Sequence, residues 1–290
     1  MIQAQALSDH LQALVVKRLE SGKLVLPVMP QAAQRVQTQL DDPRASLKQL
    51  AQTIESDPVL AAQVLQAANS AAFGFATPVK SISQALTKLG IRNIRRLLYT
   101  AIAQRVFSSR LKRANEALQV LWEHSLAVAV LSQDIAGLVG IEDIQAAYTA
   151  GLLHDIGQAV VAVYLLEVER TLLNGAKSSR DDFIDFPAWM NIVRASQAPI
   201  GAAVAKHWRL PEDVCLAIAN ANDYDPANRL CISNVVRFAD AITAVAGITI
   251  EDADASNAQA RMMIGRSLLD VEEAMVQRLI GQIDVRLKAS

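Results

Sequence analysis

The sequence predicts an all-α fold: a multi-helix bundle with an additional N-terminal helical subdomain. Three observations predict it. Apolar residues make up 52% of the 290 residues and aromatics only 4%, so Leu, Ala, Val and Ile must supply the core. Such side chains let helices approach closely, whereas a β-sandwich draws on aromatic and β-branched runs. Apolar positions recur at helical spacing, and no stretch alternates as a strand does. Helix-start signals recur along the chain, while only 12 Gly and 9 Pro leave little room for long disordered linkers.

Taken in order, residues 1–22 read as an amphipathic helix, with Leu7, Leu11, Leu14, Val15 and Leu19 on one face and Ser21-Gly22 as its stop. LVLPVMPQ (24–31) is a proline-punctuated entry to a helix over about 30–41, with Pro30 at its start. Asp41-Asp42-Pro43 is a turn, and Ser46 caps a helix to about Glu55. Asp57-Pro58 combines an N-cap with proline at the first helical position and opens a helix to about Asn69. Residues 69–79 form a loop. Ser81 or Ser83 starts a helix to Leu89, Gly90 stops it, and Ile91 to Phe107 is helical again. Further helices fit about 115–138, 141–154 and 157–174, then a charged surface loop at 175–187. The remainder divides into helices at about 187–195, 198–208, 211–222, 228–246, 255–268 and 270–288. The chain changes character near 108–116, which suggests an N-terminal helical subdomain over 1–112 and a second over 113–290.

The charge pattern changes at the same seam. Formal net charge is −1, yet Pro58 to Asn115 holds nine Lys or Arg and no acid, while Glu116 to Ser290 holds 23 acids against 13 bases. Arg92, Arg95, Arg96 and Arg105 offer contacts for a phosphate or an acidic partner, and the basic 88–113 stretch could meet nucleic acid. The competing reading is a solvated basic face offset by the acidic second half. Cys215 and Cys231 are isolated, which points away from a disulfide framework and towards a reducing cytoplasm. Charges within the first twenty residues exclude a signal-peptide core. The apolar run Ile144 to Leu166 has membrane length, but Gln145, His154, Asp155 and Gln158 interrupt it. It reads as a buried helix, a break and a second helix, so no membrane partner is expected.

That break holds the most informative residues. AYTAGLLHDIGQAVV (147–161) places His154 next to Asp155 in apolar sequence, bracketed by Gly151 and Gly157. A buried charge is costly unless it is paired or bound to a metal, and imidazole plus carboxylate suits a divalent transition ion. Two more residues of the same chemistry lie in apolar helical contexts: His124 in LWEHSLAVAVL and Asp240 in NVVRFADAITAV. Together they make a four-ligand set from separate helices, a usual way to build a metal site in a bundle core. The plainer alternatives are a hydrogen-bonded core histidine and an Asp240 paired with Arg237. His207 reads as surface or interhelical packing and His10 as solvent-exposed.

The order His124, His154-Asp155, Asp240, with GLLHDIG around the pair, resembles the HD superfamily of metal-dependent phosphohydrolases. The runs LPVMP (26–30), DPVLAAQVLQAANSAAFG (57–74), SISQALTKLGIRNIRRLL (81–98), LWEHSLAVAV (121–130) and WRLPEDVCLAI (208–218) are similar to the HDOD family, the HD-related output domain of bacterial signalling proteins, over about residues 20–245. The resemblance implies a stand-alone cytoplasmic signal-transduction module acting through a signalling protein partner or a small phosphorylated ligand, without established catalysis. Its alternative is a mononuclear phosphohydrolase in which one divalent metal (Mn, Fe, Ni, Mg or Zn), held by His124, His154, Asp155 and Asp240, activates water. Arg237 or Lys206 would then steady the phosphate. The related HD-GYP phosphodiesterases carry further histidines for a second metal; here Gln197, Ala221 and Asn222 stand where those are expected, and no GYP follows.

Overall fold

The computed structural model describes residues 13, 15–70, 73–109, 112–175, 186–220, 223–248 and 255–289, and these contain helices and no strand. Most of the helix expected over 1–22 lies outside them; residues 15–20 are helical. The first long helices are α1 (Gln31–Asp41), α2 (Leu47–Glu55), α3 (Pro58–Ala68) and α4 (Ile82–Val106). α1 starts after Pro30 without a side-chain cap, whereas α2, α3 and α4 each start at a residue whose side chain caps them. The Ser46 hydroxyl accepts from the Gln49 amide at 3.1 Å in a reciprocal capping box. Asp57 Oδ1 accepts from the Val59 and Leu60 amides, both at 3.0 Å, just ahead of Pro58. Asn69 closes α3 by donating to the Leu65 carbonyl and exchanging two bonds with the backbone of Val79, which ties the helix end to the following loop. Inside α4, Gly90 has φ 75° and ψ 166°, a conformation closed to side chains with a Cβ, and the helix restarts at Ile91.

The second half contains α5 (Lys112–Val139), α6 (Ile144–Leu153), α7 (Ile156–Gly175), α8 (Phe186–His207), α9 (Glu212–Ala219), α10 (Ile232–Val245), α11 (Ala255–Leu269) and α12 (Glu273–Ala289). The expected apolar run resolves into α6 and α7, broken at His154-Asp155, with 89% of its most apolar window buried inside the protein. The helices expected at 187–195 and 198–208 are one helix, α8, with Pro199 inside it. Ile192 and Val193 before the proline, and Ile200, Val204 and Ala205 after it, are all fully buried. Burial on both sides outweighs the hydrogen bond that proline removes. The charged loop expected at 175–187 falls largely on residues 176–185, outside the described ones.

Helices α5, α6 and α10 pack on one another, and α7 packs on α8. One continuous buried apolar cluster runs from Val15 to Ile283 and includes residues of both halves. Polar stitches cross the seam. Gln37 Nε2 reaches the Trp208 and Arg209 carbonyls, both at 3.0 Å, and Trp208 Nε1 donates to the Pro27 carbonyl at 2.8 Å. The LPVMP entry and the WRLPED segment thus hold each other in place.

Candidate metal centre

The site forms where α5, the α6–α7 junction and α10 meet. His124 projects from the middle of α5, His154 caps the end of α6, Asp155 leads into α7, and Asp240 lies on α10. Two glycines let the backbones come this close. A Cβ on Gly151 would lie 2.7 Å from Ser132 Oγ and 2.9 Å from the Val128 carbonyl oxygen of α5. A Cβ on Gly157 would overlap the Gln197 carbonyl of α8.

Each imidazole is oriented from behind by a backbone carbonyl. His124 Nδ1 donates to Ile248 O at 2.8 Å, and His154 Nδ1 donates to Gly151 O at 2.7 Å. A carbonyl only accepts, so both Nδ1 atoms carry hydrogen and both Nε2 atoms face the site. There His154 Nε2 lies 3.2 Å from Asp155 Oδ2, and His124 Nε2 lies 3.7 Å from the same oxygen and 3.3 Å from Asp240 Oδ1. The ring centroids are 5.4 Å apart. His124, His154 and Asp155 are 5%, 8% and 6% exposed. Their ligand atoms all lie within 4.8 Å of one another. Asp240 joins this trio through His124, and its other oxygen accepts from Arg261 NH1 of α11 at 2.8 Å.

Burial disfavours every charge here, and the opposite charges outweigh it. The Asp155 carboxylate pushes the His154 pKa up to about 9, and the Asp240 carboxylate raises that of His124. In turn, the imidazoles hold both carboxyls below the usual carboxylate range, His154 acting on Asp155 and His124 on Asp240. The set therefore fits a divalent transition ion: two imidazole nitrogens with fixed tautomers, two ionised carboxylates, and outer hydrogen bonds that orient the rings. His124, His154 and Asp155 could hold a metal.

The HDOD domain family matches residues 26–224. The chain belongs to the HDOD family. A Treponema pallidum protein of uncharacterised function is 27% identical over 216 residues, and this HDOD chain spans 40% of that relative's length. A Shewanella amazonensis protein, provisionally assigned as a metal-dependent phosphohydrolase, superposes with a TM-score of 0.72 at 22% identity over 97% of this chain and 99% of its own. An HDOD domain protein of unknown function from Geobacter sulfurreducens gives 0.62 at 24% identity, over 93% and 96%. These likenesses establish the helical architecture.

Other expected residues are distributed differently. Arg237, on the same helix as Asp240, is not its hydrogen-bonded partner; Arg261 is. Arg237 is nevertheless 8% exposed, and its Nε and that of Arg261 are buried without hydrogen-bond partners. Sequence reasoning missed Arg261 and the two orienting carbonyls. Lys206 and His207 are exposed, and His10 lies outside the described residues. Gln197 lies against Gly157 with its Oε1 buried and unpaired, while Ala221 and Asn222 lie outside the described residues. Among the described residues of the basic stretch, Arg95, Arg96 and Arg105 are engaged within the chain. Arg95 pairs with Asp41 at 2.7 Å and Arg105 approaches Asp57 at 3.7 Å. Arg96 donates to Gln133 Oε1 at 3.0 Å and stacks over Tyr148 at 4.1 Å. Arg92 is exposed.

Proposed function

We propose that this chain is a cytoplasmic signal-transduction module whose second half is organised around one divalent metal held by His124, His154, Asp155 and Asp240. In this reading the metal fixes the module's shape, and a protein partner or small ligand reads that shape. One observation carries it: both imidazoles and Asp155 are less than a tenth exposed, and the more open Asp240, with 22% of its side chain exposed, is occupied by Arg261. Such a centre suits holding an ion better than admitting a phosphoester. Imidazole ligands favour Fe, Ni or Zn over Mg, and the two carboxylates also suit Mn. The Marinobacter aquaeolei protein that superposes with a TM-score of 0.66 carries a signal-transduction description, which agrees with this reading.

The second reading is a mononuclear phosphohydrolase. The unpaired Nε atoms of Arg237 and Arg261 favour it, because a buried guanidinium without a full set of acceptors is a seat for an anion. A divalent ion beside them would supply Lewis acidity and lower the pKa of a water molecule. In that case Arg237 and Arg261 would bind and orient the phosphate, and His124, His154, Asp155 and Asp240 would hold the metal.

Elemental analysis of the purified chain and of His154→Ala, followed by assays on a phosphoester panel with Mn, Fe, Ni, Zn and Mg, separates the two. The signalling reading expects one equivalent of metal in the parent chain, none in His154→Ala, and no turnover by either. Turnover that needs the metal and disappears with His154→Ala establishes the hydrolase. A chain that binds no metal at all removes both.

A further inference from the structure

Three turns meet at one end of the bundle: residues 138–143 between α5 and α6, residues 269–272 between α11 and α12, and residues 228–231 leading into α10. Two hollows of about 570 and 460 Å³ lie among them and share Leu230 as a common wall. The turns are tightly closed. Ile141 N donates to the Ala136 carbonyl at 2.9 Å across Gly140, and Val271 N donates to the Arg266 carbonyl at 3.0 Å across Asp270. Gly140 and Asp270 both take positive φ, as this kind of helix stop requires. Arg229 Nε donates to the Leu268 carbonyl at 2.8 Å and fastens the lead-in of α10 to the end of α11. The surface is therefore preformed.

Its composition is that of an interface. Single exposed leucines are ordinary, but here Leu138 and Leu230, 48% and 58% exposed, line the same hollow as the half-buried Val271 and Met275. Five carboxylates line the two hollows, those of Glu142, Asp143, Asp213, Asp270 and Glu272, against the guanidiniums of Arg92 and Arg229. All five acids are exposed, and among the described residues none makes an ion pair. Asp143 caps α6, and Asp213 and Glu272 stand at the starts of α9 and α12. A helix N-terminus carries about half a positive charge, so it stabilises a carboxylate there without neutralising it. An apolar floor edged by excess negative charge results.

This surface selects its occupant by charge. A phosphate-bearing ligand, a nucleic acid or an anionic membrane meets five carboxylates here and is repelled. A small molecule fills one hollow, whereas the acids lie in both: Asp270 and Glu272 on one side of Leu230, Glu142, Asp143 and Asp213 on the other. The complement is a longer body with apolar side chains along one face and cations at both ends. The chain's own basic stretch does not supply it, because Arg95, Arg96 and Arg105 are engaged within the chain. We infer that this end of the bundle docks a basic amphipathic helix of a partner protein, with a large apolar side chain seated among Leu138, Leu230 and Met275 and Lys or Arg over the two acid groups. The inference rests on the signalling reading above and gives it a surface. Helices α5, α6 and α10 reach from this surface to His124, His154 and Asp240.

The test is fluorescence anisotropy of the full chain with labelled peptides of about 18 residues, Leu at helical spacing and Lys elsewhere. The controls are the same residues scrambled out of phase, and a Leu/Glu counterpart. The Leu/Lys helix binds at least about tenfold more tightly than either control. Leu230→Ser weakens its binding about tenfold or more. So does Asp270→Asn combined with Glu272→Gln, which also flattens the loss of affinity between about 0.05 M and 0.5 M salt. Asn tolerates the left-handed backbone at position 270. Val25→Ser, an exposed apolar position on the entry segment, and Glu55→Gln, an exposed acid on α2, leave binding unchanged. All of these positions are exposed, so each variant folds, as circular dichroism verifies. No binding of the Leu/Lys helix, equal binding of the scrambled peptide, or parental binding by both Leu230→Ser and the acid double variant overturns the inference. So does a chain that self-associates in sedimentation and is made monomeric by Leu230→Ser, which assigns the surface to a second copy. Metal content is read separately: a metal-free chain that still binds the helix through Leu230 keeps the docking surface and removes the metal-fixed shape proposed above.

Discussion

The metal centre and the arginine stretch are both concentrations of charge, and the fold treats them in opposite ways. Around His154, four ionisable groups from three separate parts of the chain converge within 3.2–3.7 Å of their neighbours and are largely removed from water. Along α4, Arg95, Arg96 and Arg105 disperse: one to Asp41, one to Gln133 and Tyr148, one towards Asp57. Convergence of buried charge has a large desolvation cost that only a metal or a complete set of partners offsets. Dispersed pairs near the surface have little cost and contribute little. The difference separates a site from a scaffold, and substitutions can measure it.

The largest effect belongs to Asp155. Replacing it by Ala leaves the His154 imidazole buried without its nearest carboxylate. In the metal-free chain this should lower stability by about 3–5 kcal/mol, the cost of breaking a buried pair; urea denaturation monitored by circular dichroism measures it. A loss below about 1 kcal/mol would mean that the centre is looser and wetter than its burial indicates. Metal content should fall from one equivalent to none in the same variant.

The HD pair was legible in the sequence because it is adjacent and interrupts an apolar run. The caps were legible for a related reason: Ser46 and Asp57 act on amides two or three positions along the chain. His124 and Asp240 became legible through their order around the pair. What remained hidden depends on contacts between distant segments. Arg261 reaches Asp240 from a neighbouring helix, and nothing in ARMMIGRSL distinguishes it from any surface arginine. The carbonyls of Gly151 and Ile248 are backbone atoms, which no residue type announces. The division of α8 at about 196–197 did not hold, because burial continues along the helix on both sides of it.

Next in size is Gly157→Ala. The added methyl would meet the Gln197 carbonyl, which is backbone and cannot rotate away, and Gly201 N at 2.8 Å. Overpacking of this kind costs about 1–3 kcal/mol, and the shift of α7 against α8 should also displace Asp155. A weakened metal affinity at unchanged ligand identity, read by competition with a chromogenic chelator, would show that the helix contact sets the site. Unchanged affinity would show that the junction absorbs the strain locally.

The pH response sharpens the contrast further. His154 has a folded pKa of about 9 against an ordinary 6.5 in the metal-free chain. Its pairing with Asp155 is therefore fully stabilising below about pH 6.5, declines as pH rises, and is lost above about 9. Metal binding runs the other way, because the ion must displace the Nε2 proton. Affinity should rise from pH 6.5 towards 9, with proton release on binding, and calorimetry in buffers of different ionisation enthalpy detects it. Affinity that is flat across this range would mean that His154 is already neutral in the apo chain.

The smallest effect is expected at Arg105. Asp57 Oδ1 already accepts two amides at the start of α3, and Arg105 NH2 stands 3.7 Å from that same oxygen. The cap and the ion pair thus share one atom but not one magnitude. Asp57→Ala should cost about 1 kcal/mol, nearly all of it from the lost cap. Arg105→Ala should change stability by less than about 0.5 kcal/mol, because its guanidinium is partly solvated and the distance is long for a hydrogen bond. A double-mutant cycle isolates the coupling, which should stay below about 0.5 kcal/mol. A coupling above about 1 kcal/mol would mean that the basic stretch forms a connected network, and the division between a convergent site and a dispersed scaffold would then have to be redrawn through α4.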